Sequence, residues 1–350
     1  MSTTYRKMAS QRGLHLVASI CAALVLAACG GGGSGSSSGT AGSGNSQSSN
    51  GNLATSVPTP TYAAGSPELT MFNQLNDVRS KGGFGMLAQN TALDQAAKNH
   101  ANYMLTNYYS VGTGWNINLM TSNNTSTGWL YAHSETQGSP GFTGAVPVNR
   151  AQAAGYNAAY VAEVIGFNST SSLLDLSKSG CVGSLLDTVF HRSGLLNVQL
   201  RDFGANVSKS IDGQVSTCVV DPAFTTASVG NPPPGWVAVY PYAGQSGLDL
   251  LMTNESPDPV PSVLTKGLPV SIYVEPQNTL SVTSFTLTDN LGNQVPVKLL
   301  TKTDFPQFIS SAMAYIVPTV ALKSATTYTV QFVGTNNGVP LSRAWSFSTQ

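Results

Sequence analysis

Apolar positions fall into three kinds of pattern along the chain. Leu14 to Ala28 is a nearly unbroken apolar run, followed to about residue 56 by Gly, Ser, Asn and Thr with no charges. From residue 66 the period becomes helical. Ser66, Pro67 and Glu68 supply a hydroxyl N-cap, a first-turn proline and a first-turn acid. Leu69, Phe72, Leu75 and Val78 follow on one face, and Gly82-Gly83 stops the helix. A second helix begins near Thr91 and carries Leu93, Ala96, Ala97, His100, Ala101 and Met104 on its apolar face. There His100 reads as a core-edge histidine with a backbone partner. A third spans 185–197, with Leu185, Leu186, Val189 and Phe190 inward and Asp187 and His191 four apart on one face.

After Asn231-Pro232-Pro233-Pro234-Gly235 the period shortens to that of strands. Runs at 236–240, 248–253, 270–274, 284–288, 295–300, 314–317, 327–333 and 344–348 alternate and are short. Asn336-Asn337-Gly338 supplies residues tolerant of positive φ between the last two. Seven or eight such strands imply a β-sandwich.

The first apolar run changes the setting of everything after it. Arg6, Lys7 and Arg12 precede it, and it is too short for a comfortable membrane span. It ends Leu26-Ala27-Ala28-Cys29-Gly30, which resembles the lipobox of bacterial lipoprotein signal peptides. That resemblance implies a signal peptide over 1–28, lipidation at Cys29 and a membrane partner through that anchor. Gly30 stands where an aspartate would favour inner-membrane retention, so an outer-membrane address in the bacterial envelope stays open. An ordinary secretory signal cleaved elsewhere is the alternative. Residues 29–60 then read as a flexible tether, too poor in apolar side chains to offset the entropy of ordering.

Composition narrows the partners. Only 9% of residues are charged, and loss of the leader leaves 13 basic against 16 acidic residues. With no basic run, a nucleic-acid partner is excluded as an expectation. Beyond Cys21 and Cys29 the cysteines are Cys181 and Cys218, which an oxidising compartment would join as a disulfide. That bond would close a loop around the His191 helix, stabilising by about 3–4 kcal/mol.

Candidate chemistry centres on His133, Glu163 and His191. Leu75-Asn76-Asp77-Val78-Arg79 and the stretch from Met86 to Met104 open a series of motifs. His133, then Arg150 to Tyr156, Val161-Ala162-Glu163, His191-Arg192 and Asp202 to Val207 continue it. In this order they resemble the CAP superfamily, the SCP-like family of cysteine-rich secretory proteins, antigen 5 and plant pathogenesis-related proteins. The resemblance covers about residues 66–222, and its strength lies in motif order. It implies an α-β-α sandwich around an antiparallel sheet, with a cleft holding two histidines and two acids and sometimes a divalent metal.

Carried over by position, His133, Glu163 and His191 match three of those four residues, and would be the ligands of a divalent ion such as zinc. Asp187 and Glu135 compete for the fourth place. Ala162-Glu163-Val164 departs from the family's Gly-Glu-Asn, and Leu185 replaces its tryptophan. A hydrogen-bonded polar cluster without catalysis is the plainer reading of the set. Between Gly112 and Ser139, Trp115 and Trp129 read as core, with a ligand-facing role as the alternative.

The expected fold class is α+β: an α-β-α sandwich CAP domain over 61–225, a Pro-rich linker at 226–235 and an all-β Ig-like sandwich over 236–350. The expected function is a surface-tethered lipoprotein binding a lipid, glycan or cell-wall ligand, with no cofactor required. A metal-assisted hydrolase and an envelope protein with a vestigial cleft are the rivals, so the sequence leaves the enzyme question open.

Overall fold

The computed structural model describes residues 51–168 and 180–350. The leader, Cys29 and the tether up to residue 50 lie outside the described residues. Six α-helices are named here in chain order: α1 Pro67–Gly82, α2 Thr91–Asn107, α3 Ile117–Met120, α4 Pro147–Ala153, α5 Gly180–Leu186 and α6 Phe190–Leu195. Local chemistry sets the bounds of the long pair. The Ser66 hydroxyl accepts from the Leu69 amide at 3.1 Å, and Gly83 ends α1 at φ 76°, where a side chain would be strained. The Asn90 side chain caps α2 by accepting from the amides of Ala92 and Leu93.

A three-stranded antiparallel sheet sits between these helices, with Ser216–Val220 central between Val164–Phe167 and Ala205–Lys209. Alternation along the central strand sorts its neighbours. Val219 packs with Ala97, Ala101 and Met104 of α2, while Cys218 and Val220 pack with Leu75 of α1 and Val182 of α5. Helices therefore cover both faces. Cys181 of α5 and Cys218 are joined as a disulfide, their Cα atoms 6.3 Å apart, tying this layer to the sheet.

The C-terminal half contains a four-stranded antiparallel sheet of Val237–Tyr240, Val270–Val274, Met313–Pro318 and Val297–Leu300, in that order. A sheet made of Leu280–Asp289, Thr327–Asn336 and Val339–Ser348 faces it. Ile272 and Ile316 from one sheet share a core with Phe285, Val330, Phe332 and Phe347 from the other. Asn337 and Gly338 take φ 49° and 79° at the turn between Thr327–Asn336 and Val339–Ser348. The run 248–253 is not a strand; its β-pairing is confined to the isolated bridges Leu248–Thr349 and Leu251–Gly267, and Thr253 donates to the Asp187 carbonyl at 3.2 Å.

Two expectations change. The tether does not extend to residue 60 as free chain. Asn52 pairs with Asn231 through both backbone and side chain, Met86 donates to the Ala54 carbonyl at 2.8 Å, and Val57 packs on the core. A few apolar and amide side chains suffice to hold this strand once a folded surface is present.

The second change concerns the C-terminal sandwich, expected as a separate domain over 236–350. The outer face of the four-stranded sheet does not face water: Ala238, Tyr240, Tyr273, Tyr315 and Val317 join one core with Met71, Leu75, Leu185 and Phe190. The described residues from 51 to 350 fall within one compact unit. Arg192, wholly buried, stitches the halves by donating to the Leu186 carbonyl and, at 2.7 Å, to that of Pro269, with its guanidinium 4.6 Å from the Tyr240 ring centre.

Candidate functional site

The helix expected over 185–197 is broken. Leu186 ends α5 and Phe190 opens α6, leaving Asp187 to Val189 as a corner where the Thr188 hydroxyl donates to the Leu185 carbonyl at 2.7 Å. Asp187 therefore does not share a helical face with His191 and does not hold its ring. The partner is Glu255, from beyond the linker. One carboxylate oxygen accepts from the Val189 amide at 2.7 Å; the other accepts from the Phe190 amide at 2.9 Å and lies 3.1 Å from His191 Nδ1. Glu255 thus covers the free amides at the start of α6 and fixes the imidazole it carries.

His133 has a similar partner built within the first half. It follows the 3-10 turn Tyr131–His133, and its Nδ1 lies 2.9 Å from Glu163 Oε1. Arg150 of α4 donates to Glu163 Oε2 at 2.6 Å with both groups buried. Burial alone would raise the Glu163 pKa, but Arg150, His100 and His133 together hold it well below the usual carboxylate range. Burial pushes His133 below its ordinary value, with Glu163 opposing part of the shift. Beside them Asp221 is fully buried, and burial together with the Glu163 charge raises its pKa well above the usual carboxylate value.

Glu135 is not a cleft residue. It is buried against His100 Nδ1 at 3.0 Å and accepts from the amides of Thr143 and Gly144, fastening the loop after His133. His100 takes the Ala132 carbonyl on its other nitrogen at 2.8 Å, the backbone partner expected of it. Asp187 sits apart, buried near Arg192 and Asp249; burial and the Asp249 carboxylate push its pKa up to about 7. The Ser193 hydroxyl, two residues past His191, donates to the Phe190 carbonyl at 2.7 Å, with the Phe308 carbonyl 3.2 Å away.

His133, Glu163 and His191 line one cavity of about 890 Å³ between the two halves. The first half contributes Trp129, Tyr160 and Phe190 to its wall, and the second contributes Trp236, Phe308 and Met313. Trp129 is exposed in this wall with its ring centre 6.1 Å from that of His133, whereas Trp115 is core. The expected core role thus fits one tryptophan and not the other.

The order of elements, the histidine pair and the buried Glu163 set the scene for one comparison: the family model of the cysteine-rich secretory protein family, CAP, matches residues 72–221. Residues 72–221 form a CAP domain. No curated protein matches the chain at a significant level.

The CAP domain brings His133, Glu163 and His191 together, but they do not form the expected ligand set. Both oxygens of Glu163 are engaged, one by Arg150 and one by His133. Among the described residues no three His, Cys, Asp or Glu side chains gather as a metal would need. The set therefore fits a polar anchor better than a three-ligand ion site. Reading the sequence missed Glu255, Trp236 and Phe308, which enter from outside the CAP domain. The one local signal was Glu255 itself, a lone acid just after the expected strand 248–253.

Proposed function

We propose that this chain is an envelope lipoprotein whose CAP domain and C-terminal sandwich together bind a lipid-like ligand in the cavity between them. The observation that carries this reading is the cavity's make-up. Its volume suits a small amphiphile, its walls are aromatic and apolar, and its polar residues include a pair of carboxylate-held imidazoles. An apolar body against Trp129, Trp236 and Phe308 with a polar head at the histidines matches that division. The sandwich, read as an Ig-like module, serves in this account as a wall of the site. The lipobox-like Leu26-Ala27-Ala28-Cys29 supports tethering through a lipid on Cys29, which would hold the cavity near its ligand's source.

A polarity-sensitive dye should bind the protein and be displaced by a lipid extract of bacterial envelopes. Phe308→Ala should weaken both dye and extract by roughly fivefold, since it removes about 1 kcal/mol of apolar contact. Failure of the dye to bind, or equal binding by the variant, would count against the cavity as the ligand site. Fatty-acid labelling lost in Cys29→Ser tests the anchor separately.

A further inference from the structure

We infer that the ligand's head is an uncharged hydroxyl that donates to Nε2 of His133 or of His191. This rests on the cavity being the ligand site. Each Nδ1 faces a carboxylate, at 2.9 Å for Glu163 and 3.1 Å for Glu255. A carboxylate only accepts, so each ring places its proton on Nδ1, and a neutral ring then presents Nε2 as an acceptor. Among the described residues nothing hydrogen-bonds either Nε2, and neither is sealed from the cavity: the two side chains stay 14% and 17% exposed. Each Nε2 therefore stands as an acceptor without a donor among the described residues, and the ligand can supply one.

The rest of the lining decides the charge of that donor. Among the described residues no Lys or Arg lines the cavity, so a carboxylate or phosphate head would lose its hydration with no described cation to receive it. Glu163 is the one acid among the described lining residues and is already paired with Arg150, so an ammonium head finds no free described anion either. A hydroxyl meets both conditions. It donates to one imidazole and carries no charge to desolvate.

The test uses the whole chain and three probes sharing one tail: 1-dodecanol, dodecanoate and dodecyl methyl ether, each displacing the same bound dye at pH 8. The alcohol should bind at least about tenfold more tightly than the ether, which cannot donate, and than the anion. His133→Leu together with His191→Leu, checked for an unchanged thermal transition, should bring alcohol and ether within about threefold. Dodecanoate or the ether binding as tightly as dodecanol to the wild type would overturn the inference while leaving the cavity reading intact. If none of the three displaces the dye, the cavity reading falls and this inference with it.

Discussion

The two imidazole–carboxylate pairs of the cavity are alike in geometry and opposite in origin. His133 and Glu163 stand 30 residues apart inside the CAP domain, and Glu163 is backed by the buried Arg150. His191 and Glu255 stand 64 residues apart on either side of the Pro-rich stretch, and Glu255 also covers two backbone amides of α6. The first pair is part of the CAP core and depends on an ion pair. The second is a joint between two halves of the molecule, in which one carboxylate serves helix, histidine and interface at once. Similar end geometry can thus rest on different supports, and the supports fail differently when cut.

Cutting the first support should have the largest effect. Glu163→Ala leaves Arg150 buried with its nearest other carboxylate, Glu135, at 3.8 Å, and should cost about 3–5 kcal/mol in chemical denaturation. A loss below about 1 kcal/mol would show that the pair is not buried as described. Next, Cys181→Ser with Cys218→Ser opens the loop that carries α6 and should cost about 3–4 kcal/mol. Unreduced peptide mapping of the wild type should recover the linked pair.

Asp187→Asn should have the opposite sign. The folded carboxyl, raised to about 7, holds a proton that the unfolded chain releases near pH 4, so stability is lost as pH rises between those values. The amide removes that loss. The variant should be more stable than wild type at pH 8, on the order of 1–3 kcal/mol, with the gain gone at pH 4. A gain of equal size at both pH values would mean that burial of the charge is not its source. The smallest effect is expected of Glu255→Gln, which keeps the shape but weakens two amide contacts and the hold on His191. It should cost about 1 kcal/mol of stability, and it should loosen ligand binding where an equally mild change remote from the cavity does not.

Local and periodic features were legible before any coordinates. The caps of α1, the start of α2, the Asn337-Gly338 turn, the Cys181–Cys218 pair and the meeting of His133 with Glu163 all rest on residues whose preferences act nearby or within one family motif series. The break at Asp187 was not legible, because the apolar spacing of Leu185, Leu186, Val189 and Phe190 is that of one continuous helix. What divides it is Glu255, arriving from far along the chain to receive the amides of Val189 and Phe190. Burial of the sandwich's outer face was not legible for a related reason. Alternation marks which strand residues are apolar, but Tyr240, Tyr273 and Tyr315 on the outer face read as ordinary half-exposed strand tyrosines. Only the packed structure shows them buried against α1 and α6.

The claim on which the rest depends is that the CAP domain and the sandwich share one core and so complete the cavity together. Scanning calorimetry of the chain from residue 51 to its end tests it directly. One cooperative transition is expected, with calorimetric and van't Hoff enthalpies equal, and a chain stopped at residue 230 should show no comparable transition. Two separate transitions, or a truncated chain that melts as the CAP portion does in the whole protein, would contradict it.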